Sequence, residues 1–202
     1  MRTRPNLIVF AKQPRIGRVK SRLARDIGRV AAWRFYRAQL ASLLRRLGRD
    51  TRWRCWLAVT PDEAVSRQRW PAGWRVVPQG QGDLGRRMLR GFARMPPGLA
   101  LLIGSDIPEI SRRHTAAAFR LLQRHDAVLG PAGDGGYWLI GLRQNARPRR
   151  LDFVPVRWSG PHALADTLEA LNRLSVGLAA TLEDIDTGAD LARWRNRQGK
   201  PR

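Results

Sequence analysis

Carboxylates next to short apolar runs are the residues of this sequence best placed to do chemistry. Asp106, Asp134, Asp184 and Asp186 each follow such a run or lie between two of them. Carboxylate oxygens at the carboxyl end of a strand can hold the Mg²⁺ or Mn²⁺ ion that accompanies a nucleotide. The chain has only 16 acidic residues, so convergence of several of these acids on one cation would be a specific arrangement.

Each of these acids also has a structural interpretation. Asp106 could make a local turn through its side chain, and Asp186 or Thr187 could cap the helix that follows. Asp134 lies in the sequence Asp-Gly-Gly, which often forms a hairpin turn. In a strand, Asp184 and Asp186 would face the same side, so one of them could add a second metal ligand. The residues alone leave both interpretations open.

A second candidate site is the cation-rich segment 11–23, which follows the first apolar run. Around Pro14 and Gly17 it carries Lys12, Arg15, Arg18, Lys20 and Arg22. A turn of this kind that leads into a helix can hold phosphate through backbone N–H groups and the helix dipole. The spacing matches neither the Walker A motif nor the dinucleotide fingerprint. A solvated basic loop is therefore an equally good interpretation of these residues.

The elements that must position these residues alternate along the chain. Apolar runs predict strands at 6–11, 54–60, 75–78, 100–105, 127–131, 136–142 and 179–183. Amphipathic segments predict helices at 29–47, 62–69, 84–95, 111–124, 161–174 and 187–197. The strands are apolar along their whole length, as expected when helices cover both faces of a sheet. The predicted fold is α/β: a three-layer sandwich around a mostly parallel, Rossmann-like sheet, in one domain spanning 1–202.

Such a sheet binds ligands beyond the carboxyl ends of its strands, which is where the acids and the basic segment would lie. Two helix starts carry capping signals. Ser111 precedes the helical sequence RRHTAAAF. Thr187 is followed three residues later by Asp190, the spacing of a capping box.

The charge of the chain raises a different possibility. There are 38 basic residues against 16 acidic ones, a formal net charge of +22, and such an excess favours binding to nucleic acid. The arginines are scattered over most helical faces, and no zinc-finger, basic-zipper or RNA-binding motif is evident. Nucleic-acid binding is therefore not the favoured interpretation.

Cysteine use and hydropathy bear on the compartment. The only cysteine, Cys55, cannot form an intrachain disulfide, and its apolar neighbours predict a buried thiol. The N-terminal apolar run is too short for the hydrophobic region of a signal peptide or for a membrane span. We therefore expect a cytoplasmic protein.

Six segments, taken in order, resemble a known family. They are FAKQPRIGRVKSRL, QGQGDLGRRM, LLIGSDIPEI, GPAGDGGYWLIGL, VRWSG and DIDTGADL. From about residue 6 to residue 194, the chain resembles the GT-A-like small bacterial transferases called rSAM/selenodomain-associated, or arsenosugar-biosynthesis, glycosyltransferases. More distantly, it is similar to the phospholactate and molybdenum-cofactor guanylyltransferases. Small departures from the family pattern occur at Ser21, Ile107 and Gly160.

The resemblance implies a nucleotide-diphospho-sugar-transferase (GT-A) fold with the nucleotide over the N-terminal half of the sheet. It implies that the first loop surrounds the phosphates through Lys12, Gly17, Arg18, Lys20 and Arg22. The second segment would line the cleft with Gln79, Asp83 and Arg87.

The resemblance also implies roles for the acids. Asp106 stands where GT-A enzymes place a metal-binding aspartate, and Asp186 would complete a site for Mg²⁺ or Mn²⁺. Asp134 would orient or deprotonate the attacking group of the acceptor. If the reaction is glycosyl transfer, Lys20 and Arg18 would share with the metal the negative charge of the leaving group, which gives Lys20 a catalytic role.

Three functions stay open at this point. The favoured one is transfer of a sugar from a nucleotide-sugar donor to a small-molecule acceptor. The second is nucleotidyl transfer, in which an acceptor phosphate attacks the α-phosphate of a nucleoside triphosphate; the many cations of the first loop suit a triphosphate. The third is a non-catalytic polyanion-binding protein, for which the net charge is the only argument. The sequence carries no signal for the oligomeric state.

Overall fold

The computed structural model describes residues 4–143, 156–158 and 160–198. In these ranges the strands are β1 Asn6–Lys12, β2 Arg54–Thr60, β3 Arg75–Pro78, β4 Ala100–Ile103, β5 Ala127–Pro131, β6 Tyr137–Leu142 and β7 Val176–Leu178. The helices are α1 Ser21–Ile27, α2 Arg29–Gly48, α3 Ala64–Arg67, α4 Leu84–Ala93, α5 Arg112–Leu122, α6 Ala163–Ala170 and α7 Gly188–Gln198. None of these helices combines the length and apolar character that crossing a membrane requires.

The strands form one sheet in the order β3-β2-β1-β4-β6-β5-β7. β1 is central and pairs in parallel with β2 and β4. Only β6 runs against its neighbours, antiparallel to both β4 and β5. The carboxyl ends of β1, β2, β4 and β5 therefore meet at the same edge of the sheet. The predicted mostly parallel α/β sheet is confirmed.

Apolar residues of β1 alternate between two cores on opposite faces of the sheet. Leu7 and Val9 pack with the buried face of α2 and with Phe119 of α5. Ile8 and Phe10 pack with buried residues of α4 and partly buried residues of α6. Each fully buried side chain of this size stabilises the fold by roughly 1.5–3 kcal/mol. Helices thus cover both faces, and the predicted three layers are confirmed.

The seventh strand lies earlier in the chain than the sequence predicted. β7 spans Val176–Leu178 and pairs in parallel with β5, whereas the predicted strand 179–183 makes only an isolated bridge between Leu182 and Ala132. The indole N–H of Trp138 donates to the carbonyl of Ala180 at 2.9 Å. A side chain therefore occupies a backbone group that a strand would offer to its neighbour, and the prediction at 179–183 is wrong.

Helix α1 was not predicted, because its seven residues are merged in sequence with the basic loop before it. Gly28, with φ +85°, separates it from α2. Its buried residue Leu23 packs with Ala32, Ile185 and Leu191. The helix is therefore held by tertiary contacts with α2 and the last part of the chain, which local periodicity does not reveal.

The predicted strands 54–60, 75–78 and 127–131 have the observed bounds, and the remaining predicted elements occur with shifted ends. The helix predicted at 62–69 is only the four residues of α3. Both capping predictions are confirmed. Ser111 Oγ accepts a hydrogen bond from the N–H of His114, and Asp190 Oδ2 accepts from the N–H of Thr187 at 2.7 Å while the Thr187 hydroxyl accepts from the N–H of Asp190.

The buried position of Cys55 gives a first prediction. Its side chain lies in the larger core, and burial raises the pKa of the thiol to about 11. Since the thiolate is the reactive form, Ellman's reagent at about pH 8 should label the native protein at least about a hundredfold more slowly than the protein unfolded in guanidinium. Rapid stoichiometric labelling without denaturant would contradict this packing.

Candidate active site

A cleft of about 730 Å³ opens where the carboxyl ends of the strands meet. Of the candidate residues named from the sequence, it is lined by Lys12, Lys20, Arg22, Gln79, Asp83, Arg87, Asp106, Asp134, Asp184 and Asp186. Lys12 ends β1, Lys20 ends the loop after it, and Arg22 lies in α1, while the acids come from the segment after β4, the β5–β6 turn and the segment before α7. Groups of opposite charge therefore line a single cleft.

Gly17 and Arg18 lie elsewhere. They line a neighbouring concavity of about 640 Å³, together with Arg25 and Arg29. Ser21 lines both this concavity and the cleft. The loop after β1 thus divides its residues between two surfaces, and only part of the predicted phosphate-binding set shares a cleft with the acids.

Lys20 is the centre of the charge arrangement. Its ammonium lies 2.8 Å from Asp106 Oδ1 and 3.0 Å from Asp186 Oδ1, and its side chain is only 3% exposed. Burial lowers the pKa of Lys20, but the attraction and hydrogen bonds of the two carboxylates outweigh it and leave the pKa above its ordinary value. Arg22 Nη1 lies 3.5 Å from Asp186 Oδ2. Lys20 is therefore a buried cation shared by two acids.

The backbone of Lys20 is unusual. Its φ of 48° and ψ of 51° are left-handed, and no other non-glycine residue in the described ranges has a positive φ. This conformation costs roughly 1–2 kcal/mol for a residue with a Cβ. The carbonyl of Lys20 accepts from the N–H of Ala24 at 2.8 Å and so begins α1. The strained turn directs the side chain to the two carboxylates instead of into solvent.

The predicted metal ligands can be tested against this geometry. In the described residues, no group of three or more His, Cys, Asp or Glu side chains is arranged to hold a metal ion. Asp106 and Asp186, however, each direct one carboxylate oxygen at the same cation, the ammonium of Lys20. Mg²⁺ is usually held by one or two carboxylates, with substrate phosphates and water completing its shell. The pair fits an ion that arrives with a nucleotide.

The acids at this end of the cleft influence each other. Burial and the negative charges of Asp186 and Asp134 raise the pKa of Asp184 to about 6, while Lys20 opposes the shift. The capping role considered for Asp186 belongs to Thr187 and Asp190 instead. The side chain of Asp186 is used by Lys20 and Arg22.

Asp134 lies in a tight turn between β5 and β6. Its Oδ1 accepts from the N–H of Gly136 at 2.9 Å, so the hairpin interpretation describes the local structure correctly. Gly135 has φ +82°, and its carbonyl accepts from the N–H of Leu164 near the start of α6. The exposed carboxylate of Asp134 nevertheless lines the cleft, so a turn and a functional carboxylate are compatible here.

The second predicted segment mainly supports the walls of the cleft. The buried amide of Gln79 donates to the carbonyls of Ala11 and Ala58 and so ties the ends of β1 and β2. Asp83 caps α4 by accepting from the backbone N–H of Arg86. Arg87 donates through Nε to the carbonyl of Gly82.

A buried polar network beneath the cleft was not found from the sequence. Tyr36 Oη accepts from the N–H of Lys12, donates to its carbonyl, and lies 3.2 Å from Ser105 Oγ. Gln39 donates to the carbonyl of Ser105 at 2.6 Å. These bonds fix the ends of β1 and β4 against α2. Tyr36 looked like an ordinary apolar-face residue of a helix, and no local signal marked it.

The lining of the cleft also includes the aromatic residues Tyr137 and Trp158. Trp158 belongs to VRWSG, one of the segments that carried the family resemblance. Aromatic surfaces of this kind pack against apolar faces and rings of ligands. The cleft therefore combines charged side chains with aromatic surface.

Comparison with known proteins agrees with this architecture. A family model described as "Uncharacterized protein conserved in bacteria (DUF2064)" matches residues 43–160. A solved protein from Desulfovibrio desulfuricans G20, a proposed nucleotide-diphospho-sugar transferase, is 30% identical with a TM-score of 0.85, over 98% of this chain and 89% of its own. The predicted nucleotide-diphospho-sugar-transferase fold is confirmed. No curated protein matches the sequence.

More distant structures share the fold alone. The 4-diphosphocytidyl-2C-methyl-D-erythritol synthase of Anaerococcus prevotii DSM 20548 is 12% identical with a TM-score of 0.64, over 97% of this chain and 98% of its own. A Mycobacterium tuberculosis H37Rv protein solved in complex with manganese is 18% identical with a TM-score of 0.59, over 95% of this chain and 97% of its own.

The turn that carries Asp134 gives a second prediction. A Cβ on Gly135 would overlap the backbone carbonyl of Pro161, and the residue has a positive φ. Gly135→Ala should therefore lower the free energy of unfolding by about 1–3 kcal/mol, measured by urea denaturation. Gly160→Ala is the matched control, because among the described residues nothing beyond its chain neighbours lies within 4 Å of its Cβ position, and it should change stability by less than about 1 kcal/mol. Equal effects of the two variants would contradict the turn geometry.

Proposed function

The chain belongs to the DUF2064 family of bacterial proteins, and we propose that it is a metal-dependent transferase with a nucleotide sugar as its donor. It moves the sugar to a hydroxyl group of a small acceptor. The observation that carries the proposal is the position of Lys20 between Asp106 and Asp186 at the edge of a cleft where cations and acids meet. That arrangement suits a ligand with both phosphate groups and a divalent cation.

The basic residues of the cleft bind the donor. Lys12, Lys20, Arg22 and Arg87 line it and can donate charge-assisted hydrogen bonds to the phosphates. Asp106 and Asp186 would hold Mg²⁺ or Mn²⁺, and such an ion would neutralise charge on the diphosphate. The proposed glycosyl transfer is further supported by the name of the Desulfovibrio desulfuricans relative and by the resemblance to arsenosugar-biosynthesis glycosyltransferases.

The acceptor binds near Asp134 and the aromatic residues of the cleft. In the reaction, the acceptor oxygen forms a bond to the anomeric carbon of the sugar, and the bond between that carbon and the diphosphate oxygen breaks. The diphosphate leaves with the electron pair, while Asp134 takes the proton from the acceptor hydroxyl. Lys20 and Arg22 stabilise the charge that develops on the leaving diphosphate. Tyr137 and Trp158 offer the surface on which the body of the acceptor rests.

Nucleotidyl transfer is the second candidate, and the four cations that line the cleft favour it. In that reaction an acceptor phosphate attacks the α-phosphorus of a nucleoside triphosphate, and pyrophosphate leaves with the electron pair of the broken bond. The same carboxylates would hold the divalent ion. The non-catalytic alternative, polyanion binding, needs no cleft and predicts affinity that falls steeply with salt.

The product released distinguishes these functions. The purified protein is incubated with Mg²⁺ or Mn²⁺, a panel of nucleotide sugars and nucleoside triphosphates, and pooled small acceptors, and the products are analysed by mass spectrometry. We expect release of a nucleoside diphosphate together with a glycosylated acceptor. Pyrophosphate and a nucleotidylated acceptor would establish the second candidate instead. Turnover of neither donor, with salt-sensitive binding to DNA, would support the polyanion-binding alternative.

Asp106 gives a prediction that does not depend on knowing the acceptor. Asp106→Asn should abolish the Mn²⁺-dependent part of nucleoside diphosphate binding in titration calorimetry, because one of the two carboxylates is lost. The melting temperature should change little, since Lys20 keeps its bond to Asp186. Asp126→Asn is the matched control: Asp126 is exposed and precedes β5, at the sheet edge opposite the cleft. Intact Mn²⁺-dependent binding by Asp106→Asn would refute the proposed metal site.

A further inference from the structure

We propose that Lys20 is a built-in counter-cation of this site. In the nucleotide-free protein its ammonium occupies the place between Asp106 and Asp186 that a divalent ion takes in the loaded enzyme, and it moves to the phosphates when metal and nucleotide arrive together. The inference rests on the proposed function for the identity of the ligand. It adds a reason why metal and nucleotide should bind as a unit.

Lys20 and a divalent ion would compete for the same position between the two carboxylates. The ammonium of Lys20 makes its two short contacts with Oδ1 of Asp106 and Oδ1 of Asp186. An Mg²⁺ ion binds carboxylate oxygens at about 2.0–2.1 Å. An ion held by these same two oxygens would occupy the space that the ammonium fills. If both cations stayed there, they would repel one another strongly. Lys20 and the metal therefore exclude one another from this position.

The buried ammonium of Lys20 and the acids around it compensate each other's charge. The side chain of Lys20 is 3% exposed, and burying an ammonium is costly unless carboxylates compensate it. Conversely, the acids of this end of the cleft, Asp106, Asp134, Asp184 and Asp186, repel one another without a cation among them. Lys20 thus keeps the acidic end of the cleft assembled before a ligand binds, and a divalent ion can take over that task.

The side chain of Lys20 can move to the phosphates of a bound nucleotide while its backbone stays in place. The backbone of Lys20 is fixed, because its carbonyl begins α1 by accepting from the N–H of Ala24. The four-carbon side chain has the freedom to change rotamer, and the residue lines the cleft together with Lys12 and Arg22. Phosphate oxygens placed there would replace the two carboxylates as partners of the ammonium. Metal without nucleotide supplies no such partner, so we expect it to bind weakly.

Removal of the lysine tests this exchange with metal alone. Binding of Mn²⁺ to the nucleotide-free protein is measured by electron paramagnetic resonance for the wild type, Lys20→Met and Arg34→Met. Lys20→Met should bind Mn²⁺ about tenfold more tightly, within the usual range of coupling between competing ligands. Arg34→Met removes one exposed positive charge from α2 and should match the wild type. Unchanged or weaker binding of Mn²⁺ by Lys20→Met would overturn the proposal.

The same variant should respond in the opposite direction to the nucleotide. With saturating Mn²⁺, Lys20→Met should bind a nucleoside diphosphate at least about tenfold more weakly, because a charge-assisted hydrogen bond to phosphate is lost. A lysine with a purely structural role would lower both affinities together. Opposite changes in the two affinities therefore support the exchange, and parallel losses contradict it.

A measurement on the wild type keeps the test independent of the folding of the variant. The sequence has only three lysines, Lys12, Lys20 and Lys200, so protein labelled with ¹³Cε-lysine should give few, assignable signals, identified by Lys→Arg substitution. Addition of Mg²⁺ together with a nucleoside diphosphate should shift the Lys20 signal, whereas Mg²⁺ alone should shift it much less. A Lys20 signal that stays in place while the nucleotide saturates would refute the movement.

These outcomes separate the inference from the proposed transferase activity. Tighter Mn²⁺ binding by Lys20→Met, with no turnover of any donor, would leave the counter-cation standing and remove the proposed function. Turnover of a nucleotide sugar, with no change in Mn²⁺ affinity for Lys20→Met, would do the reverse.

Discussion

The interaction on which the cleft depends is the one ammonium shared by two carboxylates. The bond between Lys20 and Asp186 joins positions 166 residues apart. The bond to Asp106 connects both of them to the segment that follows β4. Three segments that leave different elements are thereby fixed around one charge. Because the lysine is buried, its charge must be compensated by carboxylates close to it. The left-handed backbone at Lys20 is the local cost of that arrangement.

The topology explains why opposite charges meet at one edge. Parallel pairing of β1 with β4 places the basic loop beside the strand end that carries Asp106. β6 returns antiparallel between β4 and β5, so the turn that precedes it also lies at this edge and brings Asp134 there. The hydrogen bonds of Tyr36 to the backbone of Lys12, and its approach to Ser105, then hold the two strand ends at a fixed spacing. Sheet order and a buried hydroxyl together set the geometry of the cleft.

The sequence predicted what is encoded locally and missed what is decided by distant contacts. Uninterrupted apolar runs identified β2, β3 and β5 with their observed bounds, and polar residues after strands predicted most of the cleft. β7 was misplaced because Gly177 interrupts its apolar run, whereas in the fold this glycine makes room for the ring of His125. Gly17 and Arg18 were grouped with Lys20 as parts of one phosphate-binding loop, but they line the neighbouring concavity instead of the cleft. The contact between Lys20 and both acids has no local signature, because a left-handed residue is expected to be glycine.

The distribution of charge gives a physical reason to prefer a nucleotide–metal ligand over a simple polyanion. The chain carries a formal net charge of +22, which draws anions toward the protein as a whole. Yet five of its 16 acidic residues, Asp83, Asp106, Asp134, Asp184 and Asp186, line the same cleft. A nucleic-acid backbone placed there would bring its phosphates against these carboxylates with no divalent ion between them. A diphosphate accompanied by a divalent ion presents negative charge to the lysines and arginines and positive charge to the carboxylates. The cleft is complementary to that combination, while the surrounding positive field speeds its arrival.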